Sequence, residues 1–248
     1  MSTIFILWLR QLKRYVRSRG RVISSLAQPL LFLLAFGFGF SGVFRRAGAG
    51  NYIQFLAPGV IGMGVLFSGV FSGIELIWDK QFGFIKETLV APVPRWVVML
   101  GRTAGGASVA LIQGILVILM CLIVGFRPHS IATLPLLLVY MGLVAVMFTA
   151  LGTSIACIVA DFQAFPLVMN FLVMPLFFLS GALFPLDQVP TAFKVIATIN
   201  PLSYGIDGVR GALTGAWHFS PFTDVAVLVV LTAVLLAVGT RLFARIEA

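Results

Sequence analysis

Six stretches of this chain, 22–44, 52–74, 103–126, 134–160, 162–186 and 225–240, contain no Asp, Glu, Lys, Arg or His. Each is near the roughly 20 residues that an α-helix needs to cross the hydrocarbon of a bilayer. Only helices and closed barrels can satisfy their backbone groups there. Composition agrees: 10% of the residues are charged, against about 25% in a soluble domain. The expectation is an all-α membrane protein with six transmembrane helices in a single domain over 1–248, without spare length for a soluble catalytic domain. The last run has only sixteen residues, so Asp224 and Arg241 are expected to reach toward the two interfaces.

The formal charge of +9 raises the question of nucleic acid, but the bases stand at the ends of apolar runs and not along one folded face. They are topology signals. With the amino terminus inside, the cytoplasmic side receives Arg10, Lys13, Arg14, Arg17, Arg19, Arg21, Lys80, Lys86, Arg95, Arg102, Arg241 and Arg245. The outside receives Arg45, Arg46, Arg127, Lys194 and Arg210. Twelve against five is a positive-inside asymmetry, which places both termini and the charged segment 75–102 in the cytoplasm. Residues 4–20 have helical period, with Phe5, Trp8, Leu12, Tyr15 and Val16 on one side and Arg10, Lys13, Arg14 and Arg17 on the other. This predicts an amphipathic interfacial helix on membrane lipids, closed by Gly20. A signal-peptide n-region fits less well, because 21 residues is long for one and the next apolar run exceeds an h-region.

The outer segment 187–223 is long but apolar. Asn200 and Pro201 divide it into helix-like pieces at Thr191 to Ile199 and Leu202 to Leu213, too short to span and too apolar for free water. They are expected to behave as re-entrant helices that dip into the outer leaflet or cover the outer mouth of the bundle. Asp207 and Arg210 are placed to pair locally on a helix surface. Cys121 and Cys157 fall near opposite ends of neighbouring runs, which predicts buried free thiols.

Sites of chemistry are hard to find. Gly37, Gly39 and Gly42 match G-x-G-x-x-G inside an apolar run, where no strand or phosphate-cradling turn can form. No glycine precedes a lysine, so the chain has no P-loop for ATP. His129 and His218 lack acids at ligand spacing, and no metal is expected. Gly69 with Gly73, and Gly101 with Gly105, read as close helix packing, and Asn170 as an interhelical hydrogen bond. Ion-coupled carriers place titratable groups at mid-membrane, and these runs have none. Energy for uphill transport must therefore enter from outside the spans, and 75–102 is the natural entry point.

That segment carries a resemblance. FGFIKETLVAPVPR at Phe82 to Arg95, followed by LGR at Leu100 to Arg102, resembles the first cytoplasmic loop of type-2 ABC exporter permeases. FLAPGV at Phe55 to Val60, LSGALFPLDQVP at Leu179 to Pro190 and INPLSYGIDGVRGAL at Ile199 to Leu213 agree in order and spacing. The match is closest to the drug-resistance and lipid or polysaccharide export branch. It departs at Gln81, Phe82, Gly83 and Phe84, where many members have an acidic residue followed by Gly-Thr.

The resemblance implies a dimer of permeases, with a second copy or a homologue, on two separate ATPase subunits that hold the ATP and Mg2+. This chain would carry no cofactor and do no chemistry of its own. Gly83 to Leu89 would form or flank a coupling helix, with Lys86 and Glu87 in polar contact, Phe84 and Leu89 as anchors and Thr88 between them. The cargo path would run between the two permeases, with Phe67, Phe71, Asn170, Phe171 and Phe178 as candidates to line it. A hydrophobic or amphipathic cargo leaving a prokaryotic cell membrane by alternating access is the expected function. Two other readings stay open: an ATPase-independent lipid transporter or channel, and an intramembrane lipid-modifying enzyme.

Overall fold

The computed structural model describes residues 3–46, 51–84, 93–130, 132–159 and 161–245. Among them every regular element is helical. In chain order these are α1 (Thr3–Arg17), α2 (Arg19–Gly39), α3 (Ser41–Arg46), α4 (Tyr52–Phe71), α5 (Ile74–Gln81), α6 (Arg95–Val124), α7 (Leu134–Ile158), α8 (Ala164–Phe178), a short 3-10 turn (Leu186–Gln188), α9 (Thr191–Ile199), α10 (Pro201–Thr214) and α11 (Pro221–Ala244). Five segments are long and apolar enough to cross a membrane: 22–39 in α2, the continuous α4–α5 unit, α6, α7 and α11.

The fifth apolar run does not form the expected helix over 162–186. Its helix, α8, has 15 residues and is about 22 Å long at 1.5 Å per residue, short of the roughly 30 Å hydrocarbon core. Gly181, at φ +75°, turns the chain in the left-handed region, and Pro185 follows four residues later. A scan for charge passes over that turn because Leu179 to Pro185 is as free of charge as the helix before it.

α4 is the axis of the bundle. It packs on α2, α6, α7, α8 and α10, and 72% of its most apolar stretch is buried, against 17% for α2. Glycines allow these contacts. A Cβ on Gly59 would meet the Ala182 backbone, and one on Gly73 would meet the backbone of Gly152 in α7. The Gly69 and Gly73 spacing read from the sequence is thus the seat of α7. Gly101 and Gly105 of α6 receive α1 instead, through Leu7 and Gln11.

α1 carries its apolar and basic residues on different sides, and its apolar face rests on α6 as much as it faces outward. Trp8 Nε1 donates to Ser108 Oγ at 2.9 Å, and Tyr15 is 5% exposed, while Phe5 and Val16 remain exposed. Gly20 does not close this helix. The break falls at Ser18, and α2 has already begun at Arg19.

The end of the bundle opposite to α1 and α5 is covered by α10, with α9 at its edge, the two divided at Asn200 as the sequence predicts. Asn200 Oδ1 accepts from Leu202 N at 3.0 Å and caps α10, while its Nδ2 donates to the Leu176 carbonyl at 2.6 Å. α10 is buried against α4, α7 and α11. Tyr52 Oη donates to the Leu183 carbonyl at 3.0 Å, which ties the turn after α8 to α4.

Two expectations about charge at this capped end are corrected. Asp207 and Arg210 do not pair on a surface. The Asp207 carboxylate is buried and accepts from the backbone N–H of His218 (2.9 Å) and Phe219 (2.8 Å). Arg210 donates through Nη2 to the Gly181 carbonyl at 2.9 Å and lies 4.2 Å from the centre of the Phe55 ring. Burial pushes its guanidinium down to about 10, the Asp207 charge opposing this. Asp224 does not reach to an interface either; it is fully buried beside Asp207. Arg241 is exposed, as expected. The two cysteines are free.

Candidate functional site

The charged segment 75–102 is mostly helix. The chain leaves α4 through a tight turn at Ser72 and Gly73 and continues as α5 to Gln81. It returns as α6 from Arg95, eight residues before the apolar run that begins at 103. Charges that mark the edge of the hydrocarbon do not mark the end of a helix, because Glu, Lys and Arg are good helix formers.

These extensions bring three charges together. Asp79 of α5 accepts from Arg102 Nη2 at 2.6 Å on one oxygen and from Arg10 Nη2 at 2.9 Å on the other. The Asp79 and Arg102 side chains are each 5% exposed, whereas Arg10 is 45% exposed. Each carboxylate oxygen thus holds one helix: α6 on one side, α1 on the other. Arg14 adds a looser approach to Glu75 at 4.0 Å.

Lys80, the next residue, turns the other way. Its Nζ donates to the carbonyls of Ala156 (2.7 Å) and Cys157 (2.8 Å) at the carboxyl end of α7. A cation there satisfies terminal carbonyls and meets the negative end of the helix dipole. A single turn of α5 is therefore fastened to α1, α6 and α7, just before the chain enters the connection to α6.

At that connection Gly83 adopts φ +76°, the left-handed region that suits glycine, and Phe84 is half exposed. Lys86, Glu87, Thr88 and Leu89 lie outside the described residues. Around them Trp78, Phe82 and Trp96 are exposed aromatics, Trp78 standing edge-on to Phe162 at 5.2 Å. Exposed rings rimmed by bases suit a protein contact or a membrane interface. Sequence reasoning singled out the connection but missed the Asp79 hub; the visible signal was an acid and a base flanking it in otherwise apolar surroundings.

The five path candidates separate into two groups. Phe67 and Phe71 stack at 6.2 Å and line a partly open cavity of about 210 Å3 within the chain, together with Tyr15, Ser25, Gln28 and Gln113. Asn170, Phe171 and Phe178 are on the exposed face of α8, with Phe171 at 86% exposure. No hydrogen bond from Asn170 to another helix is made within the chain's described residues. Among the described residues no three His, Cys, Asp or Glu side chains cluster as metal ligands; His218 Nδ1 faces Asp187 at 3.3 Å.

Comparison with known proteins fits this architecture. The family model for the ABC-2 type transporter matches residues 2–214. The chain belongs to the ABC-2 type transporter family, as a multi-pass membrane protein and the membrane subunit of an ABC transporter. It is 30% identical to the inner membrane transport permease YadH of Escherichia coli (strain K12) over 230 residues, 90% of this chain and 88% of the relative. It is 26% identical to nodulation protein J of Rhizobium leguminosarum bv. viciae over 226 residues, 90% of this chain and 86% of that protein.

Proposed function

We propose that this chain is the permease of an ATP-driven exporter, working as a dimer on two ATPase subunits that bind ATP and Mg2+, and moving a hydrophobic or amphipathic cargo. The basic end is cytoplasmic, both termini lie on that side, and α8 with the turn at Gly181 and the capped end completes the sixth crossing. The observation that carries the reading is the Asp79 hub. It lies directly beside the proposed coupling segment Gly83 to Leu89 and fastens α5 to α1 and α6, while Lys80 adds α7. A displacement of that segment by a closing ATPase is passed to three helices at once, and they move as rigid bodies in alternating access.

The exposed faces of α2 and α8, with Ile23, Leu31, Phe38, Leu167 and Phe171 uncovered, supply the surface across which the second permease meets this one. Asn170, Phe171 and Phe178 then look toward the path between them. The charge-free apolar runs support a path for apolar or neutral cargo.

The test uses the permease in lipid nanodiscs with the ATPase encoded beside its gene. Wild type is expected to bind the ATPase and alter its hydrolysis rate. The double reversal Lys86→Glu with Glu87→Lys is expected to weaken both effects without changing membrane insertion. Unchanged association in the double variant removes these residues from the contact, and transport without any ATPase overturns the exporter reading in favour of an ATPase-independent carrier.

A further inference from the structure

Gln113 lies in the middle of α6 and is 1% exposed. Its Oε1 accepts from Tyr15 Oη at 2.8 Å and lies 2.8 Å from Ser25 Oγ, whose single hydrogen is shared with the Val22 carbonyl, also at 2.8 Å. Its Nε2 has no partner. A buried N–H left without an acceptor is costly, and this one belongs to a residue that lines the cavity between α1, α2, α4 and α6.

Pro29 lies inside α2, four residues after Ser25, and both line the cavity. Proline has no N–H, so the Ser25 carbonyl loses its helical donor. Gln28, Ser68 and the Tyr15 hydroxyl add polar atoms, whereas Met63, Phe67, Phe71 and Val109 are apolar. The lining holds an unused donor, Gln113 Nε2, beside a hydrocarbon wall and without a charged side chain.

That combination selects a ligand. An ionised head would lose its water and meet no opposite charge, so the polar part is neutral. It offers an oxygen to Gln113 Nε2 and a hydroxyl to the polar side chains of Gln28 and Ser68. At about 210 Å3 the space is below the roughly 300–1,000 Å3 of sites for drug-sized molecules. It suits a small head and the first methylenes of a chain. Tyr15 belongs to the amphipathic helix α1, and on the proposed topology that helix sets the entrance in the leaflet at the basic end.

We infer that this cavity is a ligand site, built by one chain alone, for the uncharged hydroxyl-bearing head of a glyceride-like amphiphile. Gln113 positions the head and Phe67 with Phe71 flank its chain. The site stands apart from the surface between two permeases, and its occupation by the purified chain does not depend on the exporter reading. The ligand is either a resident lipid or the cargo.

The experiment uses the permease alone in phosphatidylcholine nanodiscs with a diacylglycerol carrying a diazirine near its glycerol end. Photolabelling is expected in 63–71 and 109–113, displaced by dioctanoylglycerol and not by phosphatidic acid of the same chain length. Gln113→Leu is expected to reduce that labelling about fivefold, the equivalent of one hydrogen bond, and Val109→Phe to abolish it by filling the space. Background labelling of the lipid-facing surface of α11 stays constant in both variants if they are folded. Labelling of 63–71 and 109–113 that survives both substitutions, or equal displacement by phosphatidic acid, overturns the site. With the ATPase added, stimulation of hydrolysis by dioctanoylglycerol that Val109→Phe removes identifies a cargo; retained labelling without stimulation identifies a resident lipid.

Discussion

The two ends of the bundle solve the same problem, fixing helices at a membrane surface, with different bonds. At the basic end one carboxylate, Asp79, is shared by two arginines from different helices, and Lys80 reaches a third. At the capped end the charged groups bond to backbone: Asp207 to the N–H groups of 218 and 219, Arg210 to the Gly181 carbonyl. Pairs between side chains can part and re-form as helices shift. Bonds into a turn hold only while the turn keeps its shape. On the proposed function, movement belongs to the basic end, where the Asp79 pairs lie, and the other end is a fixed cover.

Breaking the hub gives the largest effect. Asp79→Ala leaves Arg102 buried without its counter-charge, which costs about 3–5 kcal/mol, read as a lowered midpoint of unfolding in mixed micelles. The double variant Asp79→Leu with Arg102→Leu is expected to recover most of that loss; if it does not, packing and not charge holds this end together. Asp207→Ala comes next, at about 1.5–3 kcal/mol for the backbone bonds of a charged acceptor. Faster hydrogen exchange at His218 and Phe219 is the sign that the fixed cover has loosened.

Smaller effects sharpen the contrast. Lys80→Met removes the cap from α7 at about 0.3–1 kcal/mol, visible as earlier exchange of the amides near Ile158. Arg10→Ala is expected to cost about 0.2–1 kcal/mol, because its half-exposed guanidinium is well solvated. Its contribution fades as salt is raised, whereas the Asp207 contribution does not. Equal salt sensitivity at the two ends would remove the distinction drawn between them.

Much of this was legible in the sequence. Charge-free runs located the long helices, and Asn200 with Pro201 located the division of the outer segment, because a capping side chain and a ring without an N–H act locally. What escaped depends on distant partners. Asp224 and Asp207 read as surface acids until the fold buries them. The break at Gly181 falls in a stretch without charge. Gln113 escaped a search for ionisable groups because an amide carries no charge, although it stands alone among the apolar residues that follow Ser108. Of the coupling residues, only Gly83 and Phe84 are described, and the hub beside them is a meeting of residues 10, 79 and 102 that no local pattern announces.

The burial of α4 also bears on how the protein is made. During synthesis this helix enters the bilayer before α6, α7 and α10 exist, so its future core surface first faces lipid. Residues such as Leu56, Val60, Ile61 and Leu66, all fully buried in the end, must be greasy enough for the insertion machinery to release them and shaped well enough to be enclosed afterwards. Their glycine neighbours contribute little to the first requirement and much to the second. A substitution at Gly59, Gly73 or their contacts can therefore pass integration without a trace and fail only when the later helices arrive, leaving an inserted chain for quality-control proteases to find.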